Sequence, residues 1–422
     1  MDTIQQLRGT KDILPKEIEV WQYIYNIAYQ TLITSNYCEI RTPILEQTSL
    51  FKRSIGDDTD IVNKEMYSFQ DQGKRNITLR PEGTASIARA FINNKLYNEK
   101  NIQRLWYLGP MFRYERPQKG RQRQFHQLGI ECIGSYEPIA DAEVIRIATK
   151  LLKKLHCTDY TLEINCIGNF EERHQYKEKL LEYLITYHNS LDEDSQKRLH
   201  TNPLRILDSK NTNTQEILSQ APKLKSYLSE KSRKHFEQLC QYLEYSDITY
   251  TINDYLIRGL DYYNNTAFEI KTNLLGQQNT ICGGGRYDDL IQQIGGPKTP
   301  AVGWAIGIER LIMLTQKNLK YKRPQPIYLA IQGNEAKKNI WYIISLLEKY
   351  NIAFKLDLSN NNFNKQIKTA NKNHAEICFI IGENEANNNY ITIKWLNTGL
   401  QKYIKYNDME NYLAYIKKFI TT

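Results

Sequence analysis

Residues 110–134, PMFRYERPQKGRQRQFHQLGIECIG, constrain this chain more than any other stretch. They read as a β-hairpin. Residues 111–115 alternate, with Phe112 and Tyr114 on one face and Arg113 and Glu115 on the other. A basic connection follows, Arg116-Pro117-Gln118-Lys119-Gly120-Arg121-Gln122-Arg123, punctuated by Pro and Gly. Over residues 125–132 the alternation resumes. Phe125, Gln127, Gly129 and Glu131 share one face; His126, Leu128, Ile130 and Cys132 share the other. One face thus repeats arginine, carboxylate and amide groups, each costing about 1–3 kcal/mol if buried unpaired. Two readings account for this. In one, the hairpin is a solvated ribbon with a charged tip. In the other it is a nucleotide site: the planar fork of Arg113 clamps a phosphate, Glu115 accepts from the exocyclic amine of a base, and the basic loop reaches further phosphates or a nucleic-acid end.

The 422 residues allow two to three domains. No apolar run approaches the ~20 residues of a membrane span. The opening MDTIQQLRGTKDILP has neither an apolar signal core nor an Arg/Ser-rich amphipathic presequence. No membrane partner is expected, and the chain is expected to stay where it is made. A net charge of +9 favours a polyanionic partner, although the abundance of Asn, Lys, Ile and Tyr also fits an AT-rich gene. The seven cysteines are scattered without a CxxC pair, so neither zinc nor a disulfide framework is expected, and a reducing compartment fits.

Pro15 opens a helix to about residue 35, with Ile18, Trp21, Ile24, Ala28 and Leu32 as its apolar stripe. Residues 37–46 read as one strand broken by Pro43. Short strands at 66–69 and 77–79 lead to Arg80-Pro81-Glu82-Gly83-Thr84 and a helix over 85–94. There Thr84 fits a helix N-cap, and Glu82 a charge favoured by the helix dipole. A helix over 141–155 and a strand over 160–164 precede residues 170–244, whose Lys, Glu, Gln and Leu recur at helical spacing. IRGLDYYNNTAFEI, residues 257–270, reads as a second hairpin turning at Asn264-Asn265. In CGGGRYDD, three glycines permit positive φ and close backbone approach, without the GK[ST] of a P-loop. AVGWAIGIERLIM, 301–313, is a strand running through Gly307 into a helix with Arg310 near its start. Lys317, Lys320, Lys322 and Arg323, then Pro324-Gln325-Pro326, mark a linker. Beyond it strands and helices alternate, and Lys365, Lys368 and Lys372 share one helix face.

The wording RYERPQKGRQRQFHQLGIE resembles motif 2 of the class II aminoacyl-tRNA synthetases in the form used by the histidyl-tRNA synthetase family. RGTKDILP resembles that family's N-terminal signature, and the first helix, strand and Pro43 resemble motif 1. RPEGT resembles its amino-acid segment, RGLDYYNNTAFE and GGGRYD its two histidine motifs, and AVGWAIGIER motif 3. NNFNKQIKTANK and GENE match its C-terminal domain in position, so the resemblance spans essentially the whole chain.

That resemblance implies an α+β fold. Residues 1–169 and 245–322 would form a class II synthetase core, an antiparallel sheet flanked by helices. Residues 170–244 would be a helical insertion, and 323–422 a mixed α/β anticodon-binding domain. It implies ATP-dependent activation of L-histidine to histidyl-adenylate and transfer to the 3′ end of tRNA(His). Arg113 would hold the α-phosphate, Arg121 and Arg310 the outer phosphates, and Glu115 the adenine edge. Glu82, Thr84 and Gln127 would orient the amino acid; Glu131, Tyr262 and Tyr263 would shape the imidazole pocket; Arg258 would be catalytic. Arg116 and Gln118 would meet the tRNA acceptor end, and Lys365, Lys368 and Lys372 the anticodon-stem phosphates. Mg²⁺ would accompany ATP without a protein cage, with no zinc. The family is homodimeric through motif 1, and works in the cytoplasm or, if the gene is organellar, the plastid stroma. The alternative is a non-catalytic, synthetase-like regulatory subunit of a histidine-biosynthesis transferase, or a tRNA-binding paralogue. The regulatory subunits have eroded motifs and lack the anticodon domain, whereas Arg113, Arg258 and Arg310 are intact here and the C-terminal pattern is present.

Overall fold

A computed structural model describes residues 3–56, 59–99, 101–118, 120–276, 279–316 and 325–420. Lys119 of the basic loop, the linker residues Lys317, Lys320, Lys322, Arg323 and Pro324, and the domain boundary expected at 322/323 lie outside them. The chain divides into two compact units, Met1–Leu319 and Lys320–Thr422.

The first unit is built on an eight-stranded sheet. Its strands lie side by side in the order Cys38–Glu39, Gln103–Phe112, Gln124–Ile133, Ala301–Gly307, Thr280–Arg286, Asn264–Lys271, Thr161–Cys166, Thr251–Ile252. The six inner strands are antiparallel; the two outermost run parallel to their neighbours, which makes the sheet mixed. One face is covered by the helices Pro15–Ile33, Pro138–Lys154 and Glu230–Tyr245, packed on Trp106, Leu128, Ile130, Phe268 and Trp304. Prolines in the first turn open the first two of these helices, where an amide donor would be unsatisfied anyway. The Trp304 indole donates to the Val144 carbonyl at 2.8 Å, pinning helix to sheet. The opposite face carries Tyr107, Tyr262, Tyr263 and Tyr287 together with the helices Thr84–Asn93 and Phe170–Ile185. Asn169 and Glu172 close a capping box at the start of the latter.

Four local expectations change. The hairpin's first strand starts at Gln103, well before residue 111, and ends at Phe112. Its QRLWYLGPM half is largely buried on both faces and so shows no clean polar alternation. Arg113 and Glu115 therefore lie in the loop, whose tip is closed by pairing of Gln118 with Arg121. Residues 37–46 are two strands in two sheets: Cys38–Glu39 beside Leu105–Trp106, and Leu45–Gln47 beside Ile77–Leu79, with Pro43 between them. No hairpin forms over 257–270; residues 257–263 are a loop and the strand begins at Asn264. Asn265 does take a left-handed φ of 49°, as Asn-Asn predicts, but it sits in a bulge: Gly285 pairs with Ala267, and Arg286 with Asn264. Finally, Gly283, Gly284 and Gly285 lie within a strand with no positive φ, so close approach alone explains them.

The second unit is a five-stranded sheet ordered Phe354–Leu356, Ile327–Ile331, Ile377–Ile381, Tyr390–Trp395, Gln401–Lys405. The first three strands are parallel and the last two antiparallel. GENE opens the short helix Glu383–Asn387, where Glu385 accepts from the Gly382 amide at 3.0 Å. Among the described residues no helix is long and apolar enough to cross a membrane.

Candidate active site

A cavity of about 240 Å³ opens on the tyrosine-bearing face of the large sheet. Small-molecule pockets run from about 300 Å³ upward, so this one is compact. The segments named in the sequence converge on it from five places. Glu82 and Thr84 come from the start of the Thr84–Asn93 helix, Arg113, Glu115 and Arg121 from the hairpin loop, and Gln127 from its second strand. Arg258, Tyr262 and Tyr263 come from the loop before Asn264, and Arg310 from the first turn of the Ile308–Thr315 helix.

Four guanidinium groups thus line one cavity. Arg113 is oriented by its Nε, which donates to the Pro81 carbonyl at 2.9 Å, and its charge lies 5.3 Å over the Phe125 ring. Arg121 pairs with Glu115 at 3.1 Å, and Arg113 approaches the same carboxylate at 3.9 Å. Arg310 donates to the carbonyls of Gly120, at 3.2 Å, and Thr280, at 2.7 Å. Beside it, Glu309 accepts twice from the His126 amide, at 2.9 and 3.0 Å, which locks this helix to the hairpin. Burial and the nearby Arg121 guanidinium both push Arg310 below its ordinary pKa. Cations that crowd one another gain most from a multiply charged anion.

Arg258 is held differently. It pairs with Glu269; burial works to lower the arginine's pKa, but Glu269 together with Tyr263, Cys282 and Tyr262 raises it. Its Nε has no hydrogen-bond partner among the described residues. A side chain at Gly283 would overlap the guanidinium, so the glycine makes the arginine's place.

Two buried carboxylates underlie the cavity, Glu82 in its lining and Glu131 behind it. Glu82 accepts from the amides of Thr84, at 2.7 Å, and Ala85, at 2.8 Å, so it caps the helix while facing the cavity. Tyr262 donates to it at 3.4 Å. Thr84 is not the cap; its hydroxyl donates to Glu131 at 2.7 Å, and the Tyr287 hydroxyl donates to the other Glu131 oxygen. Burial raises the pKa of both carboxyls, that of Glu131 to about 8. Glu131 stands behind the cavity wall, one hydrogen bond away through Thr84. Gln127 lines the wall with its Oε1 unpartnered among the described residues. Tyr262, Tyr263 and Tyr287 pack together, with centroids 4.7 to 6.4 Å apart.

Arg116 and Gln118 lie on the loop, outside the cavity wall. Lys365, Lys368 and Lys372 are carried by the Phe363–Lys372 helix of the second unit, with Lys365, Lys368 and Lys372 at its surface. Sequence reasoning passed over Tyr287 and Glu269, although both stand inside motifs it quoted. It also passed over Arg286, which is buried in an ion pair with Asp141 and bonds the Ser135 carbonyl at 2.7 Å. The signal was a lone arginine inside a strand of glycines. Among the described residues no three His, Cys, Asp or Glu side chains gather as a metal cage.

Residues 9–311 match the family model for histidyl-tRNA synthetase, and residues 327–416 the anticodon binding domain. The chain is 62% identical over 416 residues to a chloroplastic histidine–tRNA ligase of Gracilaria tenuistipitata var. liui, covering 98% of each. It is 53% identical over 421 residues to the chloroplastic histidine–tRNA ligase of Pyropia yezoensis, covering 100% of this chain and 98% of the other. The crystal structure of apo S. aureus histidyl-tRNA synthetase superposes with a TM-score of 0.82 at 34% identity, over 97% of this chain and all of that one.

Proposed function

The chain belongs to the histidyl-tRNA synthetase family, and from that premise we infer that its cavity is where histidine and ATP meet. The reaction is the ATP-dependent joining of histidine to tRNA. The histidine carboxylate attacks the α-phosphate of ATP, the bond to the β-phosphate breaks, and histidyl-adenylate and pyrophosphate result. The acyl group then passes to the terminal adenosine of tRNA(His), releasing AMP.

The observation that carries the site assignment is the convergence of four arginines on one cavity above two buried carboxylates. In this reading Arg113 and Arg258 bracket the α-phosphate and offset the charge developing there, as pre-oriented donors do in a water-poor site. Arg121 and Arg310 hold the outer phosphates, and Glu115 takes the exocyclic amine of adenine once its arginines turn to phosphate. Glu82, Thr84 and Gln127 fix the amino acid, so that much of the rate comes from positioning. Glu131, with Tyr262 and Tyr263, shapes the imidazole pocket: one group accepts and a hydroxyl donates, which reads both ring nitrogens. Mg²⁺ fits as a companion of the ATP phosphates, because Glu82 and Glu115 are already engaged by amides and by arginines. In the same reading residues 170–244 are an insertion and 323–422 the anticodon-binding domain.

We further propose a homodimer formed through the Pro15–Ile33 helix and the segment after it, where Ile18, Tyr29, Ile33, Ile44 and Leu45 are exposed. The two relatives named chloroplastic support work in a plastid. On the purified chain, sedimentation is expected to report twice the 49.6 kDa monomer. ATP–pyrophosphate exchange without tRNA is expected with histidine alone among the amino acids. Exchange with a different amino acid, or none from folded protein, would sink the reading of the cavity.

A further inference from the structure

Arg258 meets the cavity at the inner end of a row of charges that none of the binding roles above accounts for. Ala267, Glu269 and Lys271 alternate along the Asn264–Lys271 strand and so share its tyrosine-bearing face. Glu269 lies directly opposite Glu163 of the Thr161–Cys166 strand, and like charges in that register repel. On its other side it lies opposite Gly283, the glycine whose missing side chain makes room for Arg258. Glu269 divides its two oxygens: Oε1 pairs with Arg258, and Oε2 lies 3.3 Å from Lys271 Nζ. Lys271 is itself divided, because its Nζ lies closer to Glu163, at 2.7 Å, where Asn253 also donates at 2.7 Å. Each of the four charged side chains exposes less than a quarter of its area.

At such burial, salt screens the row little. Burial works against the Lys271 charge, but the bonds to Glu163 and Glu269 raise its pKa. Burial likewise works to raise the Glu163 pKa, and Lys271 with Asn253 brings it below the ordinary carboxyl value. Lys271 and Glu163 therefore stay charged at neutral pH. Asp208 of the Pro203–Asp208 turn adds a further carboxyl nearby; burial and then Glu269 raise its pKa. Lys271 is thus the cation on which the carboxylates beyond Arg258 converge. The consequence falls on Arg258. A guanidinium neutralised by a carboxylate of its own has little attraction left for a phosphate, whereas a carboxylate shared with a second cation holds it less tightly. Resting on the reading in which Arg258 acts on the α-phosphate, we propose that Lys271 is a positioning residue: through Glu269 it keeps Arg258 in place yet leaves part of its charge to the α-phosphate.

The test is the single-turnover rate of histidyl-adenylate formation by the full chain at saturating ATP and histidine. Lys271→Gln is expected to slow it about tenfold, less than the ~10²–10³ lost with a donor that touches the reacting atoms. The KM values of ATP and histidine in pyrophosphate exchange should stay within about twofold, the mark of an interaction made in the transition state. Lys271→Arg should restore most of the rate. Glu163→Gln frees Lys271 for Glu269 and should leave the rate at or above that of the wild-type chain, where a merely structural row would lose rate with either change. Because the effect runs through Arg258, Lys271→Gln should cost nothing further in an Arg258→Ala background. An unchanged rate with Lys271→Gln overturns the proposal, as does an equal loss in the Arg258→Ala background or a fall with Glu163→Gln. If Lys271→Gln does not fold, Glu163→Gln decides alone. A wild-type chain that forms no histidyl-adenylate overturns the reading of the cavity, and the proposal with it, before any variant is compared.

Discussion

Glu131 sits where binding chemistry and folding pull in opposite directions. Its ordinary pKa is 4.5, and burial lifts it to about 8 despite hydrogen bonds from Tyr287 and Thr84. Between those two values the folded chain keeps a proton that the unfolded chain has released. Stability conferred at this site is therefore highest below about pH 4.5, falls as pH rises toward about 8, and is level above that. The slope is at most ~1.4 kcal/mol per pH unit. Glu131→Gln removes the ionisation, so its unfolding free energy minus that of wild type should grow from about pH 5 to about pH 8. Urea unfolding across that range checks it; a difference constant with pH would mean that Glu131 ionises like a surface carboxyl. This residue was legible from sequence because strand alternation put it on the same face as Gln127. Its partners were not, because Thr84 and Tyr287 are 47 and 156 residues away along the chain.

The Pro138–Lys154 helix and the Thr280–Arg286 strand are joined by the buried pair Asp141–Arg286. His235 of the Glu230–Tyr245 helix lies 3.4 Å from the same carboxylate. Against its burial, the Arg286 guanidinium holds the Asp141 carboxyl well below the usual range. Removing one partner strands the other, so Asp141→Asn should cost about 3–5 kcal/mol in urea unfolding. The double change Asp141→Leu with Arg286→Met should recover part of that loss. At this scale the sequence was legible wherever the signal was local. Pro15, the apolar run into Ile308–Thr315 and the α/β alternation of the second unit all have their counterparts in the fold. It was misleading where distant pairing decides. Asn264-Asn265 set the backbone correctly, but the strand's partners are Thr280–Arg286 and Thr161–Cys166, so the left-handed residue marks a bulge instead of a turn. Of the two uses the glycine triplet permits, positive φ and close approach, only the second is realised, with Arg258 lying against Gly283.

Across the whole molecule, the proposed reading assigns histidine activation and tRNA recognition to different surfaces. The cavity belongs to the first unit, while Lys365, Lys368 and Lys372 belong to the second. Replacing those three lysines by glutamine should weaken tRNA charging and flatten its salt dependence, by a log–log slope of up to ~0.7–0.9 for each phosphate left without its lysine. Arg116→Ala with Gln118→Ala should also slow charging, through the acceptor end. Both sets should leave pyrophosphate exchange unchanged, and running the two assays side by side checks the division. The sheet of the first unit has one further consequence. Ala301–Gly307 pairs with Gln124–Ile133 on one side and Thr280–Arg286 on the other, and among the described residues it is the only strand that joins the two halves of the sheet. It is also the last of the eight in chain order. On the ribosome, then, the hairpin arginines proposed to hold phosphate emerge long before the strand that closes their sheet. Until it does, the nascent chain carries two open edges facing each other, and that interval is when it most needs a chaperone.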